Sequence, residues 1–311
     1  MSVRIDPRVD YVFKLMIGCP KHTRVTVHFL NSLLKLKVPI VSVTILNPLL
    51  GKDRSEDKII ILDVLAKDAE GRVFNIEMQT RIPLSFPKRL LYYNSKNYVR
   101  QIEDGDGYEK LYPAISICLV DRYMFDQPSR ADRWHHSFRL RCDQCSDLVL
   151  TDNFEFHIFE LPKFVPSSDN IRDLPANEKW LYLIREAVNF APEELMKQFI
   201  EPEFCEAIGV LEMISKSPDD LQYYEDRLKF LRDEAAKLGA AREEGREEGL
   251  EEGEVIGVGK GVQLGKLTGR IQTLQELLGE QVSLDEELLL ENTEMLMNRL
   301  ESLQARLKRR S

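Results

Sequence analysis

The sequence predicts an α/β domain, a mixed sheet flanked by helices, followed by an all-helical C-terminal tail. Three observations carry this. Lys58 to Arg81 reads as a β-hairpin, Tyr112 to Val120 has the apolar profile of a central strand, and the elements follow the order helix, strand, hairpin, helix, strand. From Glu178 onward apolar residues recur at three and four, the spacing of helix packing faces. These shifts divide the chain at residues 1–170, 171–240 and 241–311.

In order, Asp6-Pro7 is a helix start, with Asp as N-cap and Pro at the first helical position, and Val9, Phe13 and Met16 form its buried stripe up to Gly18. Thr23 to Leu36 reads as a second helix with Val27, Leu30, Leu33 and Leu34 on one side. Pro39 to Leu46 is β-branched and strand-like until Asn47-Pro48 stops it. After the hairpin, Pro83 and Pro87 bracket a short connection to a helix over Lys88 to Glu103. Arg89, Tyr92, Tyr93, Lys96 and Arg100 mix cations and aromatics on that helix. Such a face can track a nucleic-acid backbone, and it equally suits a helix packed on a sheet. Phe154 to Leu161 alternates and reads as a half-exposed strand.

The hairpin carries the chemistry. Strand-like runs over Ile59 to Lys67 and Arg72 to Thr80 flank Asp68-Ala69-Glu70-Gly71, and a three-residue loop ending in glycine is favoured because glycine takes the left-handed position. That loop sets Asp68 opposite Arg72 and, counting outwards, Asp63 opposite Glu77. Side chains alternate along a strand, so Gln79 shares the face of Glu77 while Ile76 and Met78 point away. Two opposed carboxylates destabilise a sheet unless water or a cation lies between them. Mg²⁺ prefers such oxygen ligands and keeps waters that phosphate oxygens can replace.

Asp on one strand, a turn, then Glu-x-Gln on the next resembles the core of the PD-(D/E)XK nuclease superfamily, with Gln79 where Lys is usual. Asp10-Tyr-Val-Phe-Lys14, Phe29-Leu-Asn31, Ile45-Leu-Asn47-Pro48, Lys58 to Asp63, Asn75-Ile-Glu-Met-Gln79 and Arg89-Leu-Leu-Tyr-Tyr93 are similar to the Rpn (recombination-promoting nuclease) family, also labelled PD-(D/E)XK nuclease family transposases. The resemblance implies a restriction-endonuclease-like core and Mg²⁺- or Mn²⁺-dependent hydrolysis of double-stranded DNA linked to recombination or mobile elements. It assigns Asp63 and Glu77 to the metal, with Asp10 of the first helix joining them, and Gln79 to the water or phosphate. An Asp10–Lys14 pair at i, i+4 is the other reading of Asp10. Arg89, with Tyr93, Lys96 and Arg100, forms the expected DNA-binding face. A nuclease fold without catalysis, used for DNA binding or assembly, is the alternative.

Net charge −9 speaks against nucleic acid until its distribution is considered: residues 1–150 carry 23 Lys+Arg against 18 Asp+Glu, the remainder 20 against 34. The half with the hairpin is mildly basic. No apolar run approaches the ~18 residues a membrane helix needs, and the first residues lack a signal-peptide core, so the expected location is cytoplasmic. Five scattered cysteines do not form a disulfide framework. Trp134-His135-His136 with Cys142-Asp-Gln-Cys145 is half a zinc site, but no second pair follows at finger spacing, and a loop or weakly packed insertion is the expectation. In the tail, glycine recurs every fourth residue from Gly245 to Gly269, followed by short leucine repeats over Leu264 to Leu278 and Leu296 to Leu307. Glycine weakens a lone helix, so a tail ordered by homo-oligomerisation, coiled-coil-like, stands beside a small intramolecular bundle.

Overall fold

The structure, a computed structural model, describes residues 3–47 and 64–309. Its sheet is organised by the hairpin turn. Gly71 takes φ +86°, its N–H donates to the Asp68 carbonyl at 3.2 Å, and the Asp68 N–H donates to the Arg72 carbonyl at 3.1 Å. The Asp68 carboxylate reinforces this by accepting from the Arg72 N–H at 2.9 Å and Nε at 2.6 Å. Consequently β2 (Val64–Asp68) and β3 (Val73–Gln79) pair antiparallel with Lys67 opposite Val73 and Val64 opposite Ile76, the register that the loop chemistry requires.

Four further strands complete a mixed sheet: β1 (Val43–Ile45), β4 (Ala114–Val120), β5 (His135–Arg141) and β6 (Val149–Glu160), in the order β1-β2-β3-β4-β6-β5. β3, β4 and β6 run parallel, and every residue of β4 is buried, as expected for a strand covered on both faces. β5 corrects the expectation of a loop around Trp134-His135-His136. It is a largely exposed edge strand whose opposed pairs with β6 are mixed, Arg139 on Glu155 beside Phe138 on Phe156, with His135 reaching diagonally to His157.

Helices α1 (Asp10–Ile17), α2 (Thr23–Leu33) and α3 (Phe86–Val99) lie against the sheet strands. Two of these differ from expectation. Asp6 does not cap α1; its carboxylate accepts from the Arg8 N–H and guanidinium in a turn that delays the helix to Asp10. α2 stops at Leu33 because Leu34 is extended, and its buried side is Val25, Phe29, Leu30 and Leu33, with Val27 half-exposed. α4 (Ala176–Glu186), α5 (Pro192–Gln198) and α6 (Pro202–Lys216) follow, α4 packing on α2 and α6 on both α1 and α2. Their core is aromatic: Trp180 lies 4.4 Å from Phe204 and 5.4 Å from Phe29 between ring centres, and its Nε1 donates to His28 Nδ1 at 3.1 Å.

By contacts the chain divides into two compact units, Met1–Phe230 and Leu231–Ser311, and α7 (Pro218–Leu278) has residues in both. In the second unit α7 ends at Gly279, φ +72°, and α8 (Asp285–Leu289) and α9 (Thr293–Lys308) follow. The two leucine repeats meet there: Ile271 and Leu278 share one buried cluster with Leu288, Leu296, Leu300 and Leu303. Residues 235–263 of α7 are exposed on all sides.

A Cβ at Gly71 would lie 2.7 Å from Tyr112 Cγ in a backbone conformation that L side chains resist. Gly71→Ala is therefore expected to lower unfolding free energy by about 1–3 kcal/mol, measured by denaturant titration.

Candidate active site

Alternation along β3 brings Asn75, Glu77 and Gln79 to one face. Glu77 is 2% exposed. Its Oε1 accepts from Asn75 Nδ2 at 2.7 Å and its Oε2 from Gln79 Nε2 at 3.1 Å. From the first turn of α3, Arg89 Nη2 lies 3.9 Å from Oε2. A carboxylate removed from water requires such donors. Here they are mostly neutral amides, so the negative charge is held in place without being cancelled. Because Gln79 donates through Nε2, its side-chain carbonyl remains an acceptor, with no hydrogen bond among the described residues.

The remaining expected residues are distributed as follows. Asp63 lies outside the described residues, which resume at Val64 opposite Ile76. Asp10 heads α1 and is gripped by Arg227 of α7, whose Nε lies 2.9 and 3.1 Å from the two carboxylate oxygens and whose Nη2 also bonds Oδ2. Arg227 is a partner that the sequence reading did not include. Arg89, Tyr93, Lys96 and Arg100 recur at helical spacing along one side of α3, beside its buried Phe86, Leu90 and Asn94. Lys96 Nζ sits 5.8 Å from the Tyr92 ring centre, and the Arg89 guanidinium 5.4 Å from that of Phe86.

Asn75 is the neighbour of Glu77 that the sequence reading passed over as a site residue. Its position two residues before Glu77 was signal enough, because period two puts both on one face. The second miss is on β5 and β6. His135 Nε2 lies 2.9 Å from His157 Nδ1, His157 Nε2 lies 2.9 Å from Glu155 Oε1, and His136 Nε2 lies 3.2 Å from Glu160. Cys142 and Cys145 sit in the β5–β6 connection, where the Cys142 Sγ donates to Gln144 and the histidines are engaged across the sheet. No group of three or more His, Cys, Asp or Glu suited to a metal occurs among the described residues. Glu77 supplies one carboxylate of the kind a hard cation takes, while Asn75 and Gln79 turn their amide nitrogens toward it and the Gln79 carbonyl is a further oxygen beside it.

A mixed α/β sheet with helices on its faces and a buried Glu-x-Gln strand defines a nuclease-like α/β fold. A family model described as PD-(D/E)XK nuclease family transposase matches residues 7–241, more than half of the chain, and the chain belongs to that family. No match was found among curated proteins or among solved structures. Among the described residues, no helix is long and apolar enough to cross a membrane.

Burial, reinforced by His157, His136 and Lys35, pushes the His135 imidazole down to about 4, against the weaker pull of Glu155. The unfolded chain therefore binds a proton at this position between pH 6.5 and about 4 that the folded chain refuses, so stability rises with pH across that window. Burial raises Glu155, but hydrogen bonds from His157 and Arg139 outweigh it and hold the carboxyl below its ordinary value. Its contribution to stability is likewise lost as pH falls. Tm measured from pH 4 to 7 is expected to rise, with a shallower slope in His135→Gln.

Proposed function

We propose that this protein is a metal-dependent endonuclease that hydrolyses phosphodiester bonds of double-stranded DNA, in the service of recombination or mobile elements. The observation that supports it is the Glu77 carboxylate, buried on a central strand, fixed by Asn75 and Gln79, and approached by Arg89. Membership of a nuclease family supports the reaction class.

In this reading Asp63 and Glu77 hold Mg²⁺, with Mn²⁺ as its substitute, and Asp10 contributes when its pair with Arg227 opens. The bound ion supplies Lewis acidity toward the scissile phosphate and the attacking water. Asn75 restrains the Glu77 carboxylate so that it does not reorient as charge develops. Gln79 orients water or phosphate through its side-chain carbonyl and its amide N–H, but it cannot contribute the positive charge of a lysine. Arg89 is the nearby cation, and it neutralises a phosphate oxygen at the mouth of the site. Tyr93, Lys96 and Arg100 extend the same helix side along the DNA backbone.

Cleavage of supercoiled plasmid tests this. Wild type is expected to nick or linearise it only with Mg²⁺ or Mn²⁺, and Asp63→Ala and Glu77→Ala should each lose at least about 100-fold in rate. Arg89→Ala should raise KM more than it lowers kcat. Absence of metal-dependent cleavage by wild type would instead identify a DNA-binding or assembly protein on a nuclease fold.

The exposed part of α7 is the proposed route to a homo-oligomer. Leu250, Val255, Ile256 and Val258 are each more than half exposed there, between glycines that allow another helix to approach closely. The full chain of 36.1 kDa should sediment as an oligomer and a chain ending at Glu244 as a monomer. Equal association states would remove the tail from assembly.

A further inference from the structure

Where β5 and β6 meet the C-terminal end of α2, the first unit contains a cleft of about 560 Å³. Ligand sites for small molecules span roughly 300–1,000 Å³. The polar floor of this cleft is ordered by a single chain of bonds. Glu155 is held ionised by His157 and Arg139 and accepts only; in the neutral His157 tautomer that donates to it through Nε2, Nδ1 accepts from His135 Nε2. That direction leaves Nδ1 of His135 as an acceptor on a neutral ring. The ring also belongs to a stack: it lies 4.2 Å from Phe159 at 5° and 6.1 Å from Trp134 at 25°.

The rim has the opposite character. Lys35, Arg133, Arg139 and Arg141 line the cleft against two carboxylates, Asp132 and Glu155. Arg139 is engaged by Glu155, and Arg141 donates to the Ser146 carbonyl at 2.9 Å. Lys35 and Arg133 are exposed and form no ion pair among the described residues. Surplus cations of this kind attract an anion and disfavour a metal ion. A floor of aligned aromatic rings with a directed acceptor is more than an inorganic anion requires; it suits a planar heterocycle that carries an amine.

We propose that this cleft binds a nucleoside monophosphate, free or as the terminal unit of a nucleic-acid strand. The phosphate sits on Lys35 and Arg133, and the base lies beside Trp134 and His135 with its exocyclic amine donating to His135 Nδ1. This does not rest on cleavage at Glu77, and either reading can fail without the other.

The chain has two tryptophans, Trp134 in the cleft and Trp180 fully buried, so quenching of intrinsic fluorescence reports occupancy. Full-length protein would be titrated with AMP, inorganic phosphate, and a tetradeoxynucleotide bearing either a 5′-phosphate or a 5′-hydroxyl, by fluorescence and by calorimetry. Saturable binding of AMP is expected, with inorganic phosphate at least tenfold weaker. A Lys35→Ala/Arg133→Ala double variant should lose at least tenfold in affinity at unchanged Tm. Binding of the 5′-phosphorylated oligonucleotide alone would assign the ligand to a strand end. The proposal is overturned if neither AMP nor that oligonucleotide binds, if inorganic phosphate or the 5′-hydroxyl strand binds as tightly, or if the double variant binds like wild type.

Discussion

The register of β3 against β2 is the constraint on which the remainder of the candidate active site depends. A slip of one residue would carry Asn75, Glu77 and Gln79 together to the opposite face, because side chains alternate with a period of two. Three local devices oppose that slip: Gly71 in the left-handed region, the backbone bonds between Asp68 and Arg72, and the Arg72 guanidinium on the Asp68 carboxylate. β4 then locks β3 from its other edge by parallel pairing along the whole of Val73–Gln79. Identity of the side chains at 75, 77 and 79 becomes meaningful only once this register is imposed.

Two buried carboxylates in the same sheet show how burial can serve different ends. Glu77 is surrounded by side-chain amides, with its cation at the limit of ion-pairing distance. Glu155 has a guanidinium and an imidazole in direct contact. Amide dipoles satisfy lone pairs and leave the net charge in place, whereas Arg139 cancels it. The first arrangement preserves a field that a cation can enter; the second turns the carboxylate into a fixed anchor that orients its neighbours.

Legibility in the sequence followed the range of the interactions involved. The hairpin, its register and the shared face of Glu77 and Gln79 were readable because glycine chemistry and alternation act within a few residues. β4 was readable because a strand covered on both faces is apolar throughout. β5 was not: Phe138 and Leu140 do alternate with Ser137, Arg139 and Arg141, but the run is short and polar, it stays largely exposed at the sheet edge, and its pairing with β6 bridges a connection that gives no turn signal. The start of α1 was misread for a related reason: Asp6 has the composition of a cap, but Arg8 competes for its carboxylate. Asp10 was the least legible residue, because its partner Arg227 lies more than two hundred positions away.

That long reach has a consequence for biogenesis. The Asp6 N–H is satisfied by the Tyr224 hydroxyl, Tyr11 donates to Asp220, and Asp10 pairs with Arg227, contacts that span 218, 209 and 217 positions of the chain. Contacts of such separation form late, because a long loop must close before they reward it. During vectorial synthesis the first helix emerges early but waits for the root of α7 before its polar groups find their partners. The N-terminal segment therefore lacks these three polar contacts until residues 220–227 have been made and have left the ribosome, when Asp10 can exchange water for a guanidinium.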